Sequence, residues 1–288
     1  GNTIFYKWKL INKGGNIIDS TYFSIWSDVD LGNATDDYNG CDTALYLGYT
    51  YNGTTNDASY GTLPPATGFD FLQGPLVNGS LSDTARYPDG RKIVGKKFLK
   101  LTSYVSYSNG DTFGVSELGT SAGAFNNQKG LANGGGIIRD NNGKPTKFMF
   151  PGDPNFANGP TNWTETGNPG DRRFLMGAGP FTMAPNDTQE IVAANLIGLG
   201  VNYRASVTAL KNSDKVVQRA FDFNLASIPS LTLDVSYPTI GTAGVRVKAD
   251  ARNLRLKSLL ATLKRQDGSK VADVALYDDG SHDDGIAY

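Results

Sequence analysis

Glutamate is nearly missing from this sequence. Of 28 acidic residues in a chain of 288, only Glu117, Glu165 and Glu190 are Glu, which leaves 25 Asp. Glu suits helix interiors, whereas Asp suits turns, caps and loops, so the imbalance argues against an all-α protein or a coiled coil. Cysteine is reduced to Cys41, which excludes an intrachain disulfide and a Cys-based zinc site. Histidine is reduced to His282, so any Ser-His-Asp or Cys-His mechanism would have to use that residue. No apolar run approaches the roughly 18 residues of a membrane-spanning helix. Charged residues are also scarce, at 19% against roughly 25% in soluble domains. Lys and Arg are absent altogether between Lys13 and Arg86, a stretch that holds nine Asp. Those carboxylates must be solvated, be neutralised by another part of the fold, or hold cations.

What is present favours β structure. Aromatic and β-branched residues are plentiful enough to exclude disorder. Thr3 to Leu10 (TIFYKWKL) and Ile17 to Trp26 have the alternation of half-buried strands, and the turn cluster at Asn12–Asn16 between them predicts a β-hairpin. Further strands are expected at Ala44–Tyr51, Phe69–Leu76, Phe98–Tyr107, Lys147–Phe150, Arg173–Met176, Phe181–Met183 and Thr188–Leu199. The stretch from Asp28 to Asp42 has no hydrophobic period and reads as a loop. Gly119 to Gly130 has room for a short helix. One long helix is expected near 203–223, where Val207, Leu210, Val217 and Phe221 fall at helical spacing. The fold class is therefore mainly β, with a large β-sandwich carrying this packed helix over residues 1–228. Alternation restarts at Leu231, and residues 229–288 read as a small immunoglobulin-like β-sandwich, shorter than the roughly 100 residues of a complete one.

Two acidic runs suggest chemistry. Calcium takes six to eight oxygens from carboxylates, amides and backbone on a flexible loop. The run from Ser27 to Asp42 offers Asp28, Asp30, Asp36, Asp37 and Asp42 as metal ligands, without the terminal Glu of an EF-hand. The competing reading is an Asx-turn loop whose Asp side chains cap backbone amides. The second run offers Asp278, Asp279, Asp283 and Asp284 in two D-D-G turns, which also serve ordinary hairpins. Calcium is the only cofactor these residues suggest. Cys41 reads as a small buried residue rather than a nucleophile. Tyr46, Tyr49, Tyr51, Tyr60, Phe69, Phe71 and Trp163 sit in Asn-rich text that suits either strand cores or stacking on sugar rings.

Several blocks resemble secreted proteins of Bacteroidetes and Ignavibacteria, large chains often exported by type IX secretion. The matching text is WSDVDLGNATDDYNGCDTALYLGYTYNG (Trp26 to Gly53), PPATGFDFLQGPL (Pro64 to Leu76), FMFPGDP (Phe148 to Pro154) and DRRFLMGAGPFTMAPNDTQEIVAA (Asp171 to Ala194). The ending ALYDDGSHDDGIAY is similar to a turn in the immunoglobulin-like modules of such chains. The resemblance implies an extracellular or cell-surface location, with a sorting domain downstream, and it implies no catalytic residue. Gly1 reads as a mature or trimmed start. The expectation is a non-enzymatic structural module for adhesion, or for assembly into a surface layer or filament, stabilised by calcium. Its partners would be copies of itself, neighbouring surface proteins or glycans, and neither nucleic acid nor a membrane span is expected. The alternative is a carbohydrate-binding protein or a glycan-cleaving enzyme working through a carboxylate pair.

Overall fold

The computed structural model describes residues 2–110, 114–117, 119–156 and 162–223, and after them the strands of residues 230–236, 246–252, 259–264 and 269–276. The chain divides into two units, Gly1–Asp222 and Phe223–Tyr288, and is mainly β with several antiparallel sheets. The first unit opens with β1 (Thr3–Ile11), β2 (Ile18–Asp28), β3 (Asp37–Asp42), β4 (Leu47–Asn52) and β5 (Ala66–Gln73). Four short strands follow, β6 (Leu76–Asn78), β7 (Thr84–Arg86), β8 (Lys92–Val94) and β9 (Lys96–Phe98). Then come β10 (Ser103–Ser108), helix α1 (Ser121–Gln128), β11 (Arg172–Met183), β12 (Thr188–Gly198) and helix α2 (Tyr203–Asp222). In the second unit β13 (Ser230–Ser236) pairs with β14 (Arg246–Arg252), and β15 (Leu259–Lys264) with β16 (Lys270–Leu276), both antiparallel. No helix of the described residues is long and apolar enough to cross a membrane.

Five strands form one sheet in the order β1-β12-β5-β4-β3, and three form another in the order β10-β11-β2. Successive side chains of a strand point to opposite faces, and β12 shows what that does. Val192, Ala194 and Leu196 join a core with Leu47, Tyr49 and the α2 residues Val207, Leu210 and Phe221. Ile191 and Ala193 join a second core with Phe71, Cys41 and, from the three-stranded sheet, Tyr104, Phe174 and Met176. The inner strands of the five-stranded sheet are thus buried on both faces, by the helix on one side and by the smaller sheet on the other, while β1 at its margin stays largely exposed. Each such large side chain contributes about 1.5–3 kcal/mol on burial.

α2 begins where Asn202 Oδ1 accepts from the amides of Arg204 and Ala205, at 3.1 and 2.9 Å, the cap that its sequence position favours. The helix lies so close to β12 that a Cβ at Gly198 would sit 2.1 Å from the Leu210 nitrogen and 2.4 Å from its Cα. Because the obstacle is helix backbone rather than a side-chain tip, Gly198→Ala is expected to lower stability by about 1–3 kcal/mol. Chemical denaturation checks this, and an unchanged midpoint would mean that the helix can lift away freely.

Lys147–Phe150 is not a strand but makes a single bridge from Phe148 to Tyr104. The expected strand Phe98–Tyr107 is divided between β9 and β10, and Arg173–Met176 with Phe181–Met183 is one strand, β11. Two further expectations need correction. β1 and β2 do not pair with each other. β1 registers on β12, with Thr3 opposite Leu196, and β2 registers on β11, with Trp26 opposite Leu175. Asn12 is the cause: it is 3% exposed, its side-chain amide donates to the carbonyls of Asn16 and Met183, and its backbone bonds to Asp187 and Asn186. The turn is therefore pinned to the β11–β12 connection, and the chain crosses from one sheet to the other. The second correction is that Asp37–Asp42 is a strand rather than loop. Its interior is held by a polar network. Asn39 donates to Ser106 Oγ and the Arg173 carbonyl and accepts from Thr50 Oγ1, so no hydrophobic period marks it.

Candidate functional site

Strands β3 and β4 pair antiparallel and end with Asp37 opposite Asn52. Residues directly opposite share a face, with Cβ atoms about 4.5–5.5 Å apart. Both are fully buried. Asp37 Oδ2 accepts from the Leu31 amide at 3.1 Å, while its Oδ1 has no partner. The Asn52 amide nitrogen donates to the carbonyl and Oγ1 of Thr54, each at 3.0 Å. A carbonyl can only accept, so this contact fixes the orientation of the amide. Asn52 Oδ1 is left on the other branch, buried and without a partner. Asp36 Oδ1 is in the same condition, while the Asp36 carbonyl accepts from the Gly53 amide.

Asp57 closes this corner. It accepts from the amides of Asn33, Ser59 and Tyr60 at 2.6–2.8 Å. Gly32, at φ +77°, lies against it so tightly that a Cβ would fall 2.3 Å from its Oδ1. Only glycine meets both conditions. Burial pushes the Asp37 carboxyl up to about 8, and the carboxylates of Asp36, Asp57 and Asp30 add to the rise against the Leu31 amide. Asp36 is raised by burial and by Asp57, against the Thr54 hydroxyl and its own backbone amide. At Asp57 burial acts upward, but its backbone amide donors together outweigh it and hold the group below the usual carboxylate range.

A second acidic group lies near the first. Oxygens of Asp28, Asp30 and Asp171 fall within 4.8 Å of one another, a spacing that could hold a metal ion. Arg173 already occupies its flank, 2.9 Å from Asp28, 2.7 Å from Glu117 and 3.6 Å from Asp171. A guanidinium therefore supplies much of the positive charge this group needs.

The five residues suggested by the first acidic run are thus divided. Asp36 and Asp37 share the buried corner, Asp28 belongs to the Arg173 group, and Asp30 contributes to both. Asp42 stands apart: it lies five residues beyond Asp37 on one strand, which places it on the opposite face and roughly 17 Å away. There its Oδ2 pairs with Lys211 at 3.0 Å, and its Oδ1 accepts from the amides of Ala44 and Leu45. Asp278, Asp279, Asp283, Asp284 and His282 lie outside the described residues. Three oxygen donors escaped the sequence reading. Asn52 and Asp57 belong to the same base-free stretch and carried that signal, whereas Asp171 had none. The stretch draws much of its neutralisation from later in the chain, with Arg173 at Asp28 and Lys211 at Asp42.

Most of the aromatic residues singled out for glycans are core. Tyr49 and Phe71 are fully buried, and Tyr51 nearly so. Tyr38, Tyr51 and Tyr203 do line a cleft of about 160 Å³ with Glu165 and Arg204. Glu165 is bound there by Arg172 at 2.6 Å and by the Asn39 amide. A second cleft, of about 220 Å³, lies beside Leu45, Tyr46 and Asp214. Both are small against the roughly 300–1,000 Å³ of typical ligand pockets. The Cys41 thiol is fully buried and pushed up by burial, the opposite of an activated nucleophile. Comparison with known protein families, curated proteins and solved structures gives no match.

Proposed function

We propose that the chain is a non-enzymatic structural module of a bacterial cell surface or extracellular assembly. In this reading the large unit is a calcium-stabilised β-sandwich, the second unit is immunoglobulin-like, and copies associate through strand edges. The observation that carries the assembly is the pair of open sheet margins. β1 ends one sheet and β2 ends the other, and both are long. Along them Ile4, Phe5, Ile17 and Ile18 are 41–66% exposed. Edge strands offer unpaired N–H and C=O groups to another chain, and lysines blunt them; β2 carries no Lys or Arg, whereas β1 is partly blunted by Lys7 and Lys9. Sedimentation velocity across a concentration series tests this. The expected result is reversible self-association that weakens in a Phe5→Lys, Ile18→Lys double variant. A strictly monomeric chain from micromolar to about 0.1 mM, with and without calcium, would sink the assembly.

One observation favours glycan binding as a second reading. The cleft of three tyrosines beside Arg204 combines ring faces with polar groups suited to sugar hydroxyls. Hydrolysis by the usual pair of carboxyls, about 5–9.5 Å apart, finds one carboxylate in that lining, and it is held by Arg172. Titration with oligosaccharides, followed by tyrosine fluorescence, separates this reading from the first.

A further inference from the structure

We propose that the end of the β3–β4 pair is a calcium-type cation site, with Asp36, Asp37 and Asn52 supplying side-chain oxygen ligands and Asp57 framing the loop beside them. The inference deepens the calcium part of the proposed function and rests on that part only, not on assembly. Its basis is a set of orphaned atoms rather than an acidic composition. Asp36 Oδ1, Asp37 Oδ1 and Asn52 Oδ1 are each buried without a hydrogen-bond partner, and the last two belong to fully buried residues opposite each other in register. Folded proteins leave few such atoms, since each costs about 1–3 kcal/mol. Asp37 Oδ1 and Asn52 Oδ1, on residues opposite each other in register, point to a shared partner, with Asp36 Oδ1 on the adjoining residue.

The chemistry of that partner follows from the donors. An ionised carboxylate oxygen and an amide carbonyl oxygen only accept, so a partner that displaces the Asp37 proton and serves Asn52 Oδ1 and Asp36 Oδ1 as well must be electropositive. Among the described residues no Lys or Arg forms an ion pair with Asp36, Asp37 or Asp57, whereas Asp28, Asp42, Asp153 and Glu165 all have one. Hard oxygen ligands without His or Cys exclude a zinc-type set. Carboxylates mixed with an amide carbonyl, at the ends of two paired strands, suit calcium, whose remaining positions would be filled by backbone carbonyls and water. Gly32 then has a reason beyond its turn: it lets the 30–33 loop close down on Asp57 and cover the corner.

The test is calorimetric titration of calcium chloride into the full chain after chelator treatment, with thermal unfolding run in parallel. Calcium at about 100 times its dissociation constant is expected to raise the unfolding temperature by about 5–10 °C. Asp37→Asn keeps the shape and the Leu31 contact, and it is expected to weaken binding at least tenfold without lowering the unfolding temperature of the metal-free chain. If that variant does not fold, Asn52→Asp replaces it; its added carboxylate should tighten binding. No heat and no thermal shift at 10 mM calcium would overturn the proposal. So would binding that survives Asp37→Asn, or that is lost in Asp28→Asn instead, which would place the ion in the Arg173 group. Self-association measured on the same samples reports separately on assembly, so failure of one does not mimic failure of the other.

Discussion

Lys211→Met is expected to lower the stability of the large unit by about 2–4 kcal/mol. The lysine side chain is 10% exposed and pairs with Asp42 at 3.0 Å and Asp153 at 2.8 Å, with its ammonium 5.6 Å from the centre of the Tyr49 ring. Methionine fills much the same space but leaves two carboxylates facing each other without a cation. Breaking a fully buried pair costs about 3–5 kcal/mol. Here the carboxylates are about a fifth exposed, at 22% and 19%, and each keeps backbone amide donors, so the lower range applies. Urea unfolding should show a reduced midpoint at constant slope. Adding Asp42→Asn and Asp153→Asn to Lys211→Met should restore at least half of the loss, because the penalty lies in the orphaned charges. A triple variant no more stable than the single one would show that the stem packing of Lys211, not its charge, was lost.

The second large effect depends on pH. Asp70 of β5 faces Asp214 of α2, and both are essentially fully buried. Neither Asp70 oxygen nor Asp214 Oδ1 has a donor from elsewhere, so a proton shared between the two carboxyls is the partner expected for them. Burial raises Asp70 well above its ordinary range, reinforced by Asp214, while Lys100 opposes and Asp222 adds a small rise. Burial likewise raises Asp214 to about 7, with Asp42 adding to the rise and Asp70, Lys100 and Lys215 opposing it. Lys100 itself donates to the Leu72 carbonyl and Gln218. The sign follows directly. Carboxyls raised above their unfolded value of 3.8 bind protons in the folded state that the unfolded chain has released. The stability they contribute is full below about pH 4 and is lost as pH rises through about 7. Asp214→Asn keeps a donor to Asp70 without a titrating proton. The variant should unfold at a higher temperature than the wild type at pH 8 and at an equal or lower one at pH 5, a swing on the order of a few kcal/mol. Asp37 titrates in both proteins, so the difference isolates the pair. Parallel pH profiles would show that no proton is shared.

How legible this was in the sequence varied with the range of the interactions. α2 stood out because its apolar residues recur within one helix and Asn202 caps it, all local facts. β12 and β1 were visible through alternation. β11 looked like two strands because Pro180 interrupts it, yet pairing with β2 resumes on either side at Ala178 and Phe181. β3 was hidden because Asn39 and its partners at Ser106, Arg173 and Thr50 do what apolar residues do elsewhere, and those partners come from three other strands. The acidic loop was visible as a concentration of carboxylates without a local base. Its sorting into a buried corner, a guanidinium-bound group and the isolated Asp42 was not, because strand parity and the distant Arg173 and Lys211 decide it.

The pairing of β1 with β12 carries a consequence for how the protein comes into being. Thr3 waits for Leu196 and Trp26 for Leu175, so β2 cannot pair until β11 has been delivered, nor β1 until β12 has. Closing such long loops must precede the contacts that reward it, which makes folding slow and late. A chain issuing from a ribosome or threading a pore would meanwhile present a stretch of 72 residues that carries Asp but no Lys or Arg, whose self-repulsion opposes premature collapse. The five-stranded sheet of the large unit can close only when β12 arrives.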